Sequence, residues 1–473
     1  MERQIMTTLP SPQDRRRESG QTPVSRRKML QLTAAGLAGS QWLLASSRNK
    51  LESTSTLQSK RRPMRFGLNY VPRKNWWYAW ADWDGNSVAD DFRAIADLGA
   101  DHLRIQCLWP QFQPGIDYIS PMALDRLHEM MDLAANAQLD VEVTVLDGWL
   151  SGYAFLPAWV SPLAADSAYN IFTHPDVIQA EKRLFAALAN TIGKHPRFLG
   201  FDLGNEIGVL PSLNGLNNKI TPDQADRWAT TMLNYCESIA PGKLHVNGAD
   251  HSHWFSDFGF SRRHLATAGS ATVLHCYAYW SGALELYRYD QDGNLHLLEY
   301  MVELAKAYQS DPGRMVWVEE VGTSNEWMPE DYLPEYATRL LSNAFECGNL
   351  WGFTWWCSHD IDPAMKGFLS LEYTLGLLDQ KNRIKPIGKT IAKLAQELRR
   401  TPPSPIDREL AIVVPDQKPG VQSETRDYSI LKQFISLLRE GHRAAIVLES
   451  RSHDENHLRA RGIKDLVKLN QSA

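Results

Sequence analysis

Between about residues 64 and 400 the chain alternates short apolar runs with stretches of helical spacing. The runs are 65–70, 102–109, 140–146, 198–204, 243–248, 272–277, 315–320 and 350–356. Runs this short, with few polar interruptions, read as strands buried on both faces. The segments between them place apolar residues three and four apart. From Pro121 these are Leu124, Leu127, Met131 and Ala134. Thr221-Pro222-Asp223-Gln224 is a capping box with proline at the first helical position. Further helices are expected near 176–194, 294–309, 332–347 and 386–400, while 257–268 carries no periodicity and reads as irregular.

Eight strands alternating with helices define an α/β chain, and a (β/α)8 TIM barrel is the expected architecture. An open doubly wound sheet is the competitor. Neither a Gly-x-Gly-x-x-Gly run nor a P-loop follows the first strand, which removes the usual reason to prefer it. The Pro-rich stretch 401–405 ends the pattern. Beyond it, 410–415 and 444–449 read as strands around a helix at 427–440, a small C-terminal α/β appendage spanning 401–473.

The first residues follow a different rule. Arg26 and Arg27 precede a modestly apolar stretch at 29–45 that is short for a membrane span. Residues 1–47 are therefore expected to be a twin-arginine export signal, and 48–63 a linker before the barrel at 64–400. The translocon would be a partner during export, to the periplasm or the exterior. Removal of the signal and its retention as an anchor both remain open.

Composition narrows the substrate. The chain is 43% hydrophobic and 22% charged, as in ordinary globular proteins. Residues 1–62 hold twelve Lys/Arg and four Asp/Glu, a net of +8, so the remainder carries −5 − 8 = −13. An acidic body argues against nucleic acid and leaves neutral ligands open. Sixteen tryptophans are many, and four of them, Trp76, Trp77, Trp80 and Trp83, cluster after the first strand. Five scattered cysteines, with no Cys-x-x-Cys, read as buried thiols.

Two strand ends carry carboxylates. The run 198–204 leads into Asn205-Glu206, and 315–320 ends in Glu319-Glu320 before Val321-Gly322. They belong to the fourth and seventh strands, whose C-terminal ends form the active rim of such barrels. Paired carboxyls facing one cleft are the equipment of glycoside hydrolysis. His275 and Tyr277, two apart on the sixth strand, share one face. Arg104, within the second strand, needs a carboxylate partner, and Asp202 is a candidate.

With these residues the stretch 64–400 resembles the clan A glycoside hydrolases, most closely family 5, the cellulase and mannanase family. The resemblance implies a retaining hydrolase of β-linked glycans, of β-mannan or β-glucan type, acting within chains or from their ends. It implies Glu206 as general acid/base and Glu320 as nucleophile, with Val321 standing where the family carries an aromatic residue; Glu319 is the rival, since either glutamate could point inward, and the Glu-x-Gly spacing to Gly322 favours Glu320. It further implies Asn205 holding a sugar hydroxyl, His275 and Tyr277 beside the nucleophile, and Arg104 keeping it ionised. A strand-eight tryptophan would form the sugar platform, and Trp356, four residues before Asp360, is preferred over Trp355. Asn69, Tyr70, Trp76, Trp77 and Trp80 are expected along the cleft, and Asp147 and Trp149 at a subsite. The scheme uses no metal or organic cofactor. Two rivals stand beside it. One is a metal-dependent barrel hydrolase using His251 and His253, and the other is an inactive carbohydrate-binding barrel.

Overall fold

The computed structural model describes residues 64–160, 169–212, 219–257, 259–418, 423 and 425–470. The expected signal and linker, 1–63, lie outside the described residues. In chain order the strands are β1 (Arg65–Asn69), β2 (His102–Leu108), β3 (Asp140–Asp147), a short antiparallel hairpin of β4 (Trp149–Leu150) and β5 (Tyr153–Ala154), β6 (Phe198–Asp202), β7 (Thr272–Cys276), β8 (Val316–Val321) and β9 (Leu350–Trp355). Seven of them form one parallel sheet in the order β6-β3-β2-β1-β9-β8-β7. The sheet is curled, and the architecture is a (β/α)8 barrel.

The eighth position is filled by the segment 243–248, without a regular ladder. The Leu244 and Val246 amides donate to the Leu199 and Phe201 carbonyls, and the Leu203 amide donates to Val246. On its other side the Ser270 amide donates to His245. Gly200 permits this approach, because a Cβ there would stand 1.7 Å from the Leu244 carbonyl oxygen. The segment leaves strand geometry where the Gly248 amide turns to donate to Asp202 at 2.7 Å.

Helices occupy the expected intervals at Pro121–Asn136, Pro175–Ile192, Pro222–Ile239, Leu297–Tyr308, Leu333–Phe345 and Pro386–Arg400. At Thr221 both hydrogen bonds of the capping box form. The stretch expected to be irregular, 257–268, contains the helix Arg262–Thr267. Its start is set by Ser261, whose side chain accepts from the His264 amide, a cap too local to register as periodicity.

The C-terminal residues form a second parallel sheet, β11-β10-β12, from β10 (Leu410–Val414), β11 (Ala445–Leu448) and β12 (Asp465–Lys468), with the helix Ser429–Arg439. β12 was not expected, since its half-exposed Asp-Leu-Val-Lys sequence has no apolar run. This sheet packs on Leu297–Tyr308, a helix buried along almost its whole length. Buried glutamates on that helix meet arginines of the C-terminal segment. Arg408 and Arg443 reach Glu299 at 2.6 and 2.7 Å, and Arg461 reaches Glu303 at 2.9 Å. With Lys306 beside it as well, Glu303 is held down at about 2 despite its burial.

Candidate active site

β6 ends at Asp202, and the chain then turns so that Glu206 adopts φ +43°. A left-handed glutamate is uncommon and stores strain on the order of 1 kcal/mol, which persists only where the surroundings fix it. β8 presents Glu319 and Glu320 side by side. In a regular strand, neighbours face opposite ways. Here the pairing slips between Val318 and Val321 against β9, and between Leu274 and His275 against β7. The irregularity brings both carboxyls to the same interior groups.

Arg104, fully buried on β2, is the hub. Its Nη1 donates to Glu320 at 2.5 Å and to the Asn69 amide oxygen at 3.0 Å. Its Nη2 donates to Asp202 at 2.7 Å and to Asn205 Oδ1 at 3.0 Å. Glu320 also accepts from the Tyr277 hydroxyl at 2.7 Å. His275 bridges the two strand ends. Its Nε2 donates to Glu319 at 2.9 Å and its Nδ1 to Glu206 at 3.2 Å. An oxygen of Glu206, an oxygen of Glu320 and a ring nitrogen of His275 lie within 4.8 Å of one another.

Above them opens a cleft of about 900 Å³, lined by Trp149, Asn205, Glu206, Tyr277, Glu320 and Trp356 among others. Asn205 is oriented by donating to the Trp149 carbonyl at 2.7 Å. Trp356 lines the cleft, while Trp355 is fully buried and is not part of its lining.

Several expected positions are corrected. Asn69 does not line the cleft. β1 ends inside the barrel, so the Asn69 side chain lies beneath the carboxyls, accepting from Arg104 and donating to the Glu319 carbonyl at 3.2 Å. Arg104 and His275 are likewise fully buried, and they act on the carboxyls from below. Asp147 is buried off the cleft. Asp360 pairs with Lys385 at 2.8 Å and takes no part in the cleft lining. Tyr70, Trp76, Trp77 and Trp80 surround a separate small cavity. From there Trp76 backs Trp356, ring centres 6.1 Å apart and edge-on. Of the proposed metal pair, His253 turns away to Asp250 at 3.1 Å and only His251 reaches the cleft. Among the described residues neither belongs to a set of three metal-competent side chains.

Five carboxyls, Glu142, Asp202, Glu206, Glu319 and Glu320, crowd around two cations. Burial alone would lower His275, but Glu320, Glu206 and Glu319 outweigh it and hold the imidazolium up to about 10. Burial opposes charge on Glu319 too, and Arg104 and His275 overcome it, keeping that carboxyl low. Burial, with the Glu206 charge adding, leaves Glu320 above the usual carboxylate value, and His275, Arg104 and the Tyr277 hydroxyl limit the rise. Asp202 is raised to about 6 by burial and by Glu319, against the pull of Arg104. Glu142, beneath, is pushed well up by burial and by Glu319.

Sequence reasoning missed part of the lining: Trp280, Trp327, Glu372 and Arg426. The first three sit on loops after β7, β8 and β9, where no periodicity marks a residue, and Arg426 belongs to the C-terminal segment. The only available signal was that Trp280 and Trp327 closely follow strand ends. Glu372 is buried, and burial raises it to about 7, with Ser151 opposing and the Glu320 charge adding. A raised carboxyl stabilises the fold below its unfolded value near 4.5, and that stability is lost as pH climbs through about 7. The loss is about 3 kcal/mol. Glu372→Gln, which cannot ionise, is therefore expected to melt higher than the parent at pH 8. At pH 5 the two should melt nearly together in thermal unfolding followed by circular dichroism.

No protein-family model matches the sequence, and no curated protein matches it. Solved structures do. A Glu-to-Ala variant of GH5_18 from Streptomyces cattleya, in complex with Manβ1-4GlcNAc, is 36% identical and superposes with a TM-score of 0.81, over 86% of this chain and 98% of that one. GH5_18 from Bifidobacterium longum subsp. infantis is 31% identical, also with a TM-score of 0.81, over 87% of this chain and 98% of that one. An exo-beta-1,4-mannosidase from Opitutaceae bacterium strain TAV5, 22% identical with a TM-score of 0.67 over 81% of this chain and 69% of that one, shares the fold. A barrel with two strand-end carboxyls, aligned over nearly the full length of relatives more than 30% identical, leaves one assignment: the chain belongs to the GH5_18 glycoside hydrolases, retaining hydrolases of β-linked glycans.

Proposed function

We propose that this chain removes the non-reducing mannose from Manβ1-4GlcNAc or a closely related β-mannoside by double displacement. The observation that carries the mechanism is the spacing of Glu206 and Glu320, whose nearest oxygens lie within 4.8 Å. Retaining enzymes hold their carboxyls about 5–5.5 Å apart, and inverting ones about 6.5–9.5 Å, to admit a water. Glu320 attacks the anomeric carbon as the glycosidic bond breaks, and Glu206 gives its proton to the leaving oxygen. Glu206 then takes a proton from water, which displaces Glu320 and releases the sugar with its configuration retained. Arg104 and Tyr277 donate to Glu320 and favour its ionised, attacking form against the cost of its burial. His275 contacts both carboxyls and orients them. Asn205 faces the cleft as a donor to a sugar hydroxyl, and Trp149 and Trp356 offer ring faces to the sugar.

The sugar is taken from the disaccharide bound by the Streptomyces cattleya relative. Proton NMR of the purified protein acting on p-nitrophenyl β-mannoside and on Manβ1-4GlcNAc tests both parts. β-Mannose is expected as the first product, before mutarotation. α-Mannose first would overturn retention, and turnover of the β-glucoside in preference to the β-mannoside would overturn the sugar assignment.

We also infer that residues 1–47 direct export by the twin-arginine route, on the strength of Arg26-Arg27 and the apolar stretch that follows. Replacing both arginines by lysine is expected to leave the full chain in the cytoplasmic fraction. Unchanged export of that variant would refute the inference.

A further inference from the structure

Glu372 sits on a single helical turn, Ser370–Tyr373, in the long loop after β9. It is 5% exposed and faces the cleft. The groups acting on it are Ser151 and Glu320, with no cation among them. An unpaired carboxyl in such a place costs stability, so it calls for a functional reason. Its position is fixed by neighbours on both sides. The Tyr153 hydroxyl of the β4–β5 hairpin donates to the Gly367 carbonyl. The Trp77 ring packs on Phe368 with centres 4.5 Å apart, and the Tyr373 hydroxyl donates to the Met365 carbonyl at 2.7 Å.

The two ends of the cleft differ. The turn that carries Glu372 adjoins the loop after β8, where the Thr374 hydroxyl donates to Asn325 Oδ1 at 3.0 Å. His251 belongs to a turn whose Asp250 and His253 side chains lie against Gly208, two residues beyond Glu206. Glu372 therefore stands on the nucleophile's side, and His251 on the side of the acid. In a double displacement the sugar joined to Glu320 is the glycone, and the group beyond Glu206 is the leaving group.

We propose that Glu372 selects the glycone. Its two carboxyl oxygens accept hydrogen bonds from hydroxyls of the terminal sugar that lie away from the anomeric carbon. This rests on the β-mannosidase reading above and adds to it the residue that recognises the ring. A buried acceptor built for a hydroxyl penalises any sugar lacking it, because the acceptor is then left unpaired. Glu372 thus contributes to specificity without taking part in bond breaking.

The test compares the parent, Glu372→Gln and Glu372→Ala on p-nitrophenyl β-mannoside and on its 3-, 4- and 6-deoxy analogues. In the parent, at least one deoxy analogue should lose on the order of 10²-fold in kcat/KM. Glu372→Ala should lose a similar factor on the full substrate and should no longer distinguish that analogue, while Glu372→Gln retains part of the discrimination. Labelling of Glu320 by a 2-fluoro mannosyl fluoride should persist in Glu372→Gln, which shows the reacting groups intact. Equal discrimination by parent and Glu372→Ala at all three positions would overturn the proposal, as would a parent indifferent to every deoxy analogue, a result that needs no variant to fold. A parent that neither cleaves the β-mannoside nor is labelled defeats the functional reading itself, and this proposal with it.

Discussion

Replacing Glu320 by alanine is expected to lower kcat/KM on an aryl β-mannoside by about 10⁴-fold or more, a rise in barrier of at least about 5.5 kcal/mol. The covalent route is lost, and no neighbour can replace it. Glu319 is adjacent in sequence, but it is tied to His275 at 2.9 Å and lies beside Arg104 below the cleft floor. Azide supplies the discriminating readout. In Glu320→Ala it can enter the vacated space and attack from the nucleophile's face, giving the α-mannosyl azide. In Glu206→Ala it intercepts the glycosyl-enzyme in place of activated water, giving the β-mannosyl azide. The expected loss for Glu206→Ala is about 10²–10⁴-fold, the usual worth of general acid–base catalysis. Glu319→Ala should yield neither azide. An α-azide from Glu319→Ala would exchange the roles of the two β8 glutamates.

The second large effect is on stability. Arg104→Met is expected to cost about 3–5 kcal/mol, the range for removing one partner of a buried ionic cluster. Asp202 and Glu320 lose a direct hydrogen bond each, and Asn69 and Asn205 lose the donor that aligns them. The sign with pH follows. Without the guanidinium, these carboxyls move further above their unfolded values. Raised carboxyls stabilise the fold below the unfolded value, and that contribution disappears as pH rises through the folded one. The deficit should therefore be larger at pH 8 than at pH 5, as read from urea midpoints at the two values. Arg104→Lys restores one charge but not the fork that serves Glu320 and Asp202 together, so it should recover stability only in part. A flat deficit across this range would mean that packing, not charge, is what Arg104 supplies.

Much of the barrel was legible in the sequence because a strand buried on both faces leaves a continuous apolar run. β1, β2, β3 and β7–β9 all show it. The segment 243–248 read as a strand, yet its ladder is reduced by the turn at Gly248, which no periodicity reports. β12 was invisible for the opposite reason, as it pairs correctly without burying its side chains. At the site, residues on strand ends could be placed by counting strands. Depth could not be placed this way: Asn69 and His275 belong to the same rim in sequence terms, but the barrel closes over them. The register slips that turn Glu319 and Glu320 toward shared partners leave no trace in composition. Glu372 and Arg426 reach the cleft from a loop and from the C-terminal segment, and only tertiary structure brings them there.

The clamp on the helix Leu297–Tyr308 bears on how the chain can be made. Glu299 and Glu303 are translated and folded against the barrel wall more than a hundred residues before Arg408, Arg443 and Arg461 emerge. Until those arginines arrive, the nascent barrel carries two carboxylates facing a surface not yet covered. His296 and Lys306, from the same stretch of chain, pair with Glu299 and Glu303 in the meantime, so the arginines add to a charge balance already begun. Synthesis order thus makes the last segment a finishing piece: a chain cut near residue 400 has every barrel strand and lacks the three arginines that complete the charge balance on Glu299 and Glu303.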